Sequence, residues 1–125
     1  MTYQSFQIKK FFRSFTYASR GVINLFKTEQ NARFHIITAI VSAIVAYLLK
    51  VTRIEATILF FAFVMVLAIE IINTAIEKLI DIVHPDNHSG IEFIKDAMAG
   101  AVLIAAIIAF VVGVLIFYPH IAALL

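Results

Sequence analysis

The 125-residue chain contains no cysteine and no tryptophan, two prolines, four glycines, and charged residues at only 14% of positions. Without cysteine, neither a disulfide framework nor a thiolate-ligated metal site is possible, and the redox compartment stays undecided. The four glycines, Gly21, Gly90, Gly100 and Gly113, form no phosphate-cradling loop: neither Gly-x-x-x-x-Gly-Lys-Ser/Thr nor Gly-x-Gly-x-x-Gly occurs. A His-Arg-Asp catalytic loop is also absent. A net charge of +2 is too small to suggest a nucleic-acid partner. The chain is instead rich in apolar residues, at 62%, with a mean hydropathy of +0.98. A soluble domain carries roughly 45–50% apolar and about 25% charged residues, so part of this chain's solvent has to be lipid.

One domain spanning 1–125 is expected at this length. Strand alternation, repeats and linkers are absent, and the pattern predicts an all-α integral membrane protein. From Tyr3 to about Thr28, basic residues interrupt the apolar ones every few positions. Phe11, Phe15, Ala18, Val22 and Leu25 recur at steps of four and three. Arg13, Arg20, Asn24 and Lys27 follow the same rhythm on the opposite side. Such a helix over 3–28 suits the membrane interface, with packing against other protein as the alternative.

Three spans follow, in helices predicted over 34–49, 54–84 and 91–118. The first is short for a crossing that takes ~20 residues, and Lys50 and Arg53 close it. The second is apolar from Ile54 to Ile72 apart from Glu55 and Glu70, and remains helical until Pro85. Turn residues fill Pro85–Gly90, and the third helix is placed before Pro119. Ala97, Ala101, Ala105, Ala109 and Gly113 repeat every four residues along it, a face that lets helices approach closely in lipid. Six Lys/Arg precede the first span and none follows the third, which places the N-terminus in the cytoplasm and the C-terminus outside. No cleaved signal is expected, because the first long apolar run begins near Phe34, behind several charges.

The most informative stretch runs from Glu70 to Asp81. At 100° per residue, Glu70, Asn73, Thr74, Glu77 and Asp81 share a stripe about 100° wide, and apolar residues fill the rest. A helix emerging from the bilayer explains acids at Asp81 and Glu77. It explains Glu70 poorly, because an isolated carboxylate in hydrocarbon costs several kcal/mol. Three acids on one stripe repel unless they share something positive. A hard divalent cation does that, and Mg2+ typically uses one or two carboxylates plus substrate phosphates. Lys95-Asp96 lies at the same end of the third helix, either as part of a site or as an interfacial anchor. A metal pair of His84 and His88 is disfavoured by Pro85 between them, and His35 and His120 sit near helix ends.

With these residues the sequence resembles the prokaryotic diacylglycerol kinase family, which includes undecaprenol kinases. The resemblance rests on Glu70-x-x-Asn73-Thr74-Ala75-Ile76-Glu77-x-x-x-Asp81, on Glu29-x-Asn31-x-Arg33-x-His35, and on Lys95-Asp96-x-x-Ala99-Gly100. Arg13, Tyr17 and Gly21 also match, and the likeness covers about residues 10–118. It implies ATP-dependent phosphorylation of a membrane lipid hydroxyl at a bacterial inner (cytoplasmic) membrane, by a homotrimer with active sites shared between neighbouring subunits. It makes Glu70 the general base and gives Asn73 the task of orienting the site. Glu29 and Glu77 would hold Mg2+ on the ATP phosphates. Lys95, Asp96, Asp86 and His88 would contact the nucleotide, with Lys10 and Tyr17 as its neighbours. The Glu-x-Asn-x-Arg-x-His stretch and the Phe117-Tyr118-Pro119 ending look closer to the undecaprenol branch than to the diacylglycerol branch. The rival classes are a small oligomeric cation channel or transporter, whose acids should spread across the membrane depth, and a non-catalytic scaffold.

Overall fold

A computed structural model describes residues 8–85 and 89–125. Four helices follow one another: α1 (Ile8–Thr28), α2 (Gln30–Leu48), α3 (Arg53–Val83) and α4 (Ser89–Ala122). Among the described residues there is no strand. The last three helices are each long and apolar enough to cross a membrane. Helices suit that solvent because each satisfies its backbone polar groups internally. The hydroxyls of Thr38 and Thr57 do likewise, donating to the Phe34 and Arg53 carbonyls one turn back.

The connections are built by local chemistry. A single extended residue, Glu29, separates α1 from α2, with φ −102° and ψ 120°. At the far end of α2, Lys50 turns into the left-handed region at φ 54°. The Lys50 amide bonds the Tyr47 carbonyl at 3.2 Å and the Val51 amide bonds Ala46 at 3.1 Å. Val51 also packs on Ala46. These are the two backbone bonds and the apolar contact of a Schellman motif, here with lysine where glycine is usual. Two residues later Thr52 caps α3: its hydroxyl accepts from the Glu55 amide, and the Glu55 carboxylate accepts from the Thr52 amide at 2.7 Å.

The main packing is α3 against α4, with α2 alongside α3. Leu59 and Val66 on α3 meet Ile116, Ala105 and Ala109 on α4. The four-residue repeat of small residues is only partly used. A step of four advances 400°, so the stripe drifts about 40° at each repeat. Ala105 and Ala109 are therefore buried, Ala97 is exposed and Gly113 is half-buried. The line that packs is Val102, Ala105, Ala109 and Ile116, at steps of three, four and seven. Large side chains such as Phe60, Phe61, Phe110 and Leu115 point outward, as lipid or a neighbouring copy requires.

The sequence places the end of α4 before Pro119, but the helix continues through it to Ala122. Proline there removes one backbone bond, to the Leu115 carbonyl, and only one turn follows. That turn is closed by Ala123, whose amide donates to the Pro119 carbonyl at 3.1 Å. Along α1, Phe11, Phe15 and Val22 are exposed, and Leu25 near its end is buried.

Candidate active site

On α3 the buried face changes character along its length. Leu59 and Val66 make it apolar; one turn later it becomes Glu70, Asn73 and Thr74, all buried. The polar stripe is the continuation of the packing stripe, and Ile71, Ile72 and Leu79 lie exposed on the other side. Glu70 is 2% exposed, and among the described residues it and Val66 are the largest fully buried side chains. Its Oε2 and the Asn73 Oδ1 are buried without a hydrogen-bond partner. Buried polar atoms are normally paired, so two orphans one turn apart mark a place where something else is to bind. The other end of the Asn73 amide is engaged: Nδ2 donates to Glu77 Oε1 at 3.1 Å and steers that half-buried carboxylate.

Glu29 reaches the same region from the α1–α2 elbow. Its position is set by its neighbours, Leu25 buried at the end of α1 and Ala32 at 0% exposure at the start of α2. Glu29 Oε1 accepts from the Thr28 hydroxyl at 3.1 Å and from Lys78 Nζ at 3.2 Å. Glu29 and Glu77 both lie near enough to Glu70 for their charges to bear on it. Residues 29, 70, 73 and 77, which the sequence singles out from two separate motifs, are thus brought together. Among the described residues, no three His, Asp or Glu side chains converge as a complete metal cage.

The remaining expected residues are placed differently. Lys95, on α4, pairs with Asp81 at 2.7 Å and ties the ends of α3 and α4, with Asp96 exposed beside it. Lys10 and Tyr17 are exposed on α1, and Tyr17 accepts a 2.9 Å bond from Arg13. Asp86 and His88 lie outside the described residues. Lys78 carries no role in the sequence reading; its partner Glu29 is 49 positions away, beyond the reach of any local pattern. At the opposite end of the bundle, His120 Nε2 lies 3.2 Å from both Glu55 oxygens and links the end of α4 to the start of α3.

Below the carboxylates a groove of about 380 Å³ opens between α2 and α4. Phe34, His35, Thr38, Phe63, Val66 and Phe117 are among its lining residues. Of these, Val66 lies one turn from Glu70 on α3.

The profile of the prokaryotic diacylglycerol kinase family matches residues 16–117. An undecaprenol kinase of Bacillus subtilis is 36% identical over 113 residues, covering 90% of this chain and 92% of that protein. A diacylglycerol kinase of Synechocystis is also 36% identical over 113 residues, here 65% of its own length. A diacylglycerol kinase of Haemophilus influenzae is 26% identical over 117 residues, 93% of this chain and 99% of that one. A buried carboxylate flanked by two others, on helices long enough to span a bilayer, and a family match over most of the length lead to one conclusion: the chain belongs to the prokaryotic diacylglycerol kinase family and is a membrane lipid kinase.

Proposed function

We propose that the protein transfers the γ-phosphoryl group of ATP to the hydroxyl of undecaprenol, at the cytoplasmic face of a bacterial inner membrane. The observation that carries the chemistry is the buried Glu70 carboxylate, with an unpartnered oxygen, beside Glu29 and Glu77. Glu70 takes the proton of the lipid hydroxyl as the hydroxyl oxygen bonds the γ-phosphorus. The bond from that phosphorus to the β–γ bridging oxygen breaks, and ADP leaves with the electron pair. Such a transfer asks mainly for in-line positioning and charge neutralisation, which a small helical protein can supply.

Hard oxygen donors at Glu29 and Glu77, with an unsatisfied amide oxygen at Asn73, fit a Mg2+ ion that takes its other ligands from phosphates and water. Bound there with the nucleotide, the ion would neutralise charge developing on the phosphates. Asn73 holds Glu77 in place through the 3.1 Å bond. Lys95, Asp96 and Tyr17 are assigned to the nucleotide by their match to the family pattern, with Asp86 and His88 in the turn and Lys10 on the N-terminal helix as further nucleotide contacts. The apolar groove beneath Glu70 receives the lipid chain, which the bilayer delivers directly. The basic, aromatic-faced α1 lies in the interface. The exposed apolar faces of α3 and α4 are consistent with a homotrimer whose subunits share active sites.

The Glu29–His35 stretch and the Phe117-Tyr118-Pro119 ending, which look closer to the undecaprenol branch, favour the isoprenoid alcohol over diacylglycerol; relatives of both kinds align at 36% identity. The test is transfer of label from γ-labelled ATP with Mg2+, in mixed micelles holding one lipid or the other. Label in undecaprenol at a higher kcat/KM supports the reading. Label only in diacylglycerol reverses the substrate, and label in neither, from an intact oligomer, removes the ATP-dependent reading for both lipids.

A further inference from the structure

Among the described residues, Lys78 makes a direct side-chain contact with one of the two proposed metal-binding carboxylates. It follows Glu77 on α3, yet its ammonium reaches the elbow and sits 3.2 Å from Glu29 Oε1. The same oxygen lies 3.1 Å from the Thr28 hydroxyl, whose single proton is shared with the Asn24 carbonyl at 3.0 Å, so Lys78 is the charged partner of this carboxylate. The pair is partly open to water, with side-chain exposures of 57% for Lys78 and 28% for Glu29.

We propose that Lys78 is the counter-cation of Glu29 in the nucleotide-free enzyme, and that a divalent metal has to displace it to bind. Glu70 and the two carboxylates beside it repel one another when no metal is present. Lys78 supplies the missing positive charge from the Glu29 side and pins the α1–α2 elbow to α3. Metal and ammonium compete for the one negative charge of the Glu29 carboxylate, so free metal is held weakly. Metal arriving with a nucleotide is favoured, because the phosphates offer the released ammonium a new partner. Lys78 is therefore a positioning residue that makes the site prefer the metal–nucleotide complex over the bare ion.

This inference rests on the proposed role of Glu29 and Glu77, and the experiment separates the two. Mn2+ alone, without nucleotide, is titrated into the detergent-solubilised oligomer and the free ion is followed by electron paramagnetic resonance. Lys78→Met is expected to bind Mn2+ roughly two- to five-fold more tightly than the unmodified protein, the range set by an exposed ion pair. Lys78→Arg, which keeps the pairing charge, should bind as the unmodified protein does. In a Glu29→Gln background, Lys78→Met should change nothing. Equal Mn2+ affinity with and without Lys78 overturns the competition. So does a tightening that persists in Glu29→Gln, which would assign it to the long-range field of the lysine. Absence of Mn2+ binding in every variant, with the oligomer intact, would instead remove the metal role of the carboxylates, and this proposal with it.

Discussion

Replacing Glu70 by Gln is the sharpest perturbation of the proposed chemistry, because the amide has the shape of the carboxylate but cannot serve as a base. Glu70 is 2% exposed, so the substitution has to fit the space already present, and Gln does. Its packing beside Val66 is retained. One of the three neighbouring negative charges disappears, so the folded protein loses a repulsion and a buried charge together. The thermal midpoint should therefore be unchanged or raised. Activity should move the other way. A positioned general base contributes typically 10²–10⁴-fold, equivalent to about 2.7–5.4 kcal/mol of barrier at 1.36 kcal/mol per decade. The assay is the initial rate of label transfer from γ-labelled ATP to lipid in mixed micelles, with oligomeric state checked by size exclusion. A drop of at least ~100-fold in kcat with the oligomer preserved is expected. Turnover within about ten-fold of the unmodified rate would refute the base assignment, since positioning alone would then account for the catalysis.

Glu29→Gln and Glu77→Gln should each raise the Mg2+ concentration needed for half-maximal rate, although the amide oxygen introduced at position 77 can still accept the bond from Asn73; a metal titration of the initial rate checks this. Lys50→Gly should stabilise the fold by about 0.5–1 kcal/mol, because a left-handed residue at φ 54° suits glycine and the Schellman bonds are backbone bonds. Denaturation in mixed detergent would read that gain. Ala109→Leu should destabilise by about 1–3 kcal/mol, because Ala109 is buried against the Val66 cluster and a larger side chain there forces α3 and α4 apart. The same denaturation assay applies, and an unchanged midpoint would mean that this contact does not hold the pair together.

Much of this protein is written locally. Long apolar stretches between sparse charges determine three membrane-crossing helices, because hydrocarbon admits little else. The stripe from Glu70 to Asp81 is legible because helical periodicity is a property of consecutive residues. The penalty on a lone buried acid makes Glu70 stand out within that stripe. The motifs around Glu29, Glu70 and Lys95 likewise point to the family from the sequence alone. The sequence leaves open which face of each helix meets another helix. The strict four-residue repeat on α4 suggests one continuous contact line, yet the drift of a real helix buries only Ala105 and Ala109 of that repeat. Pro119 reads as a stop but sits close enough to the end for α4 to pass through it.

The pairings between helices belong wholly to the tertiary structure. Lys78 with Glu29, Lys95 with Asp81, and His120 with Glu55 join residues 49, 14 and 65 positions apart. No periodic pattern encodes such distances. They depend on how the helices cross and on the single extended residue that sets the elbow between α1 and α2. Composition and spacing reach only as far as one helix, while an ion pair between helices exists only once their packing brings the two side chains within about 4 Å.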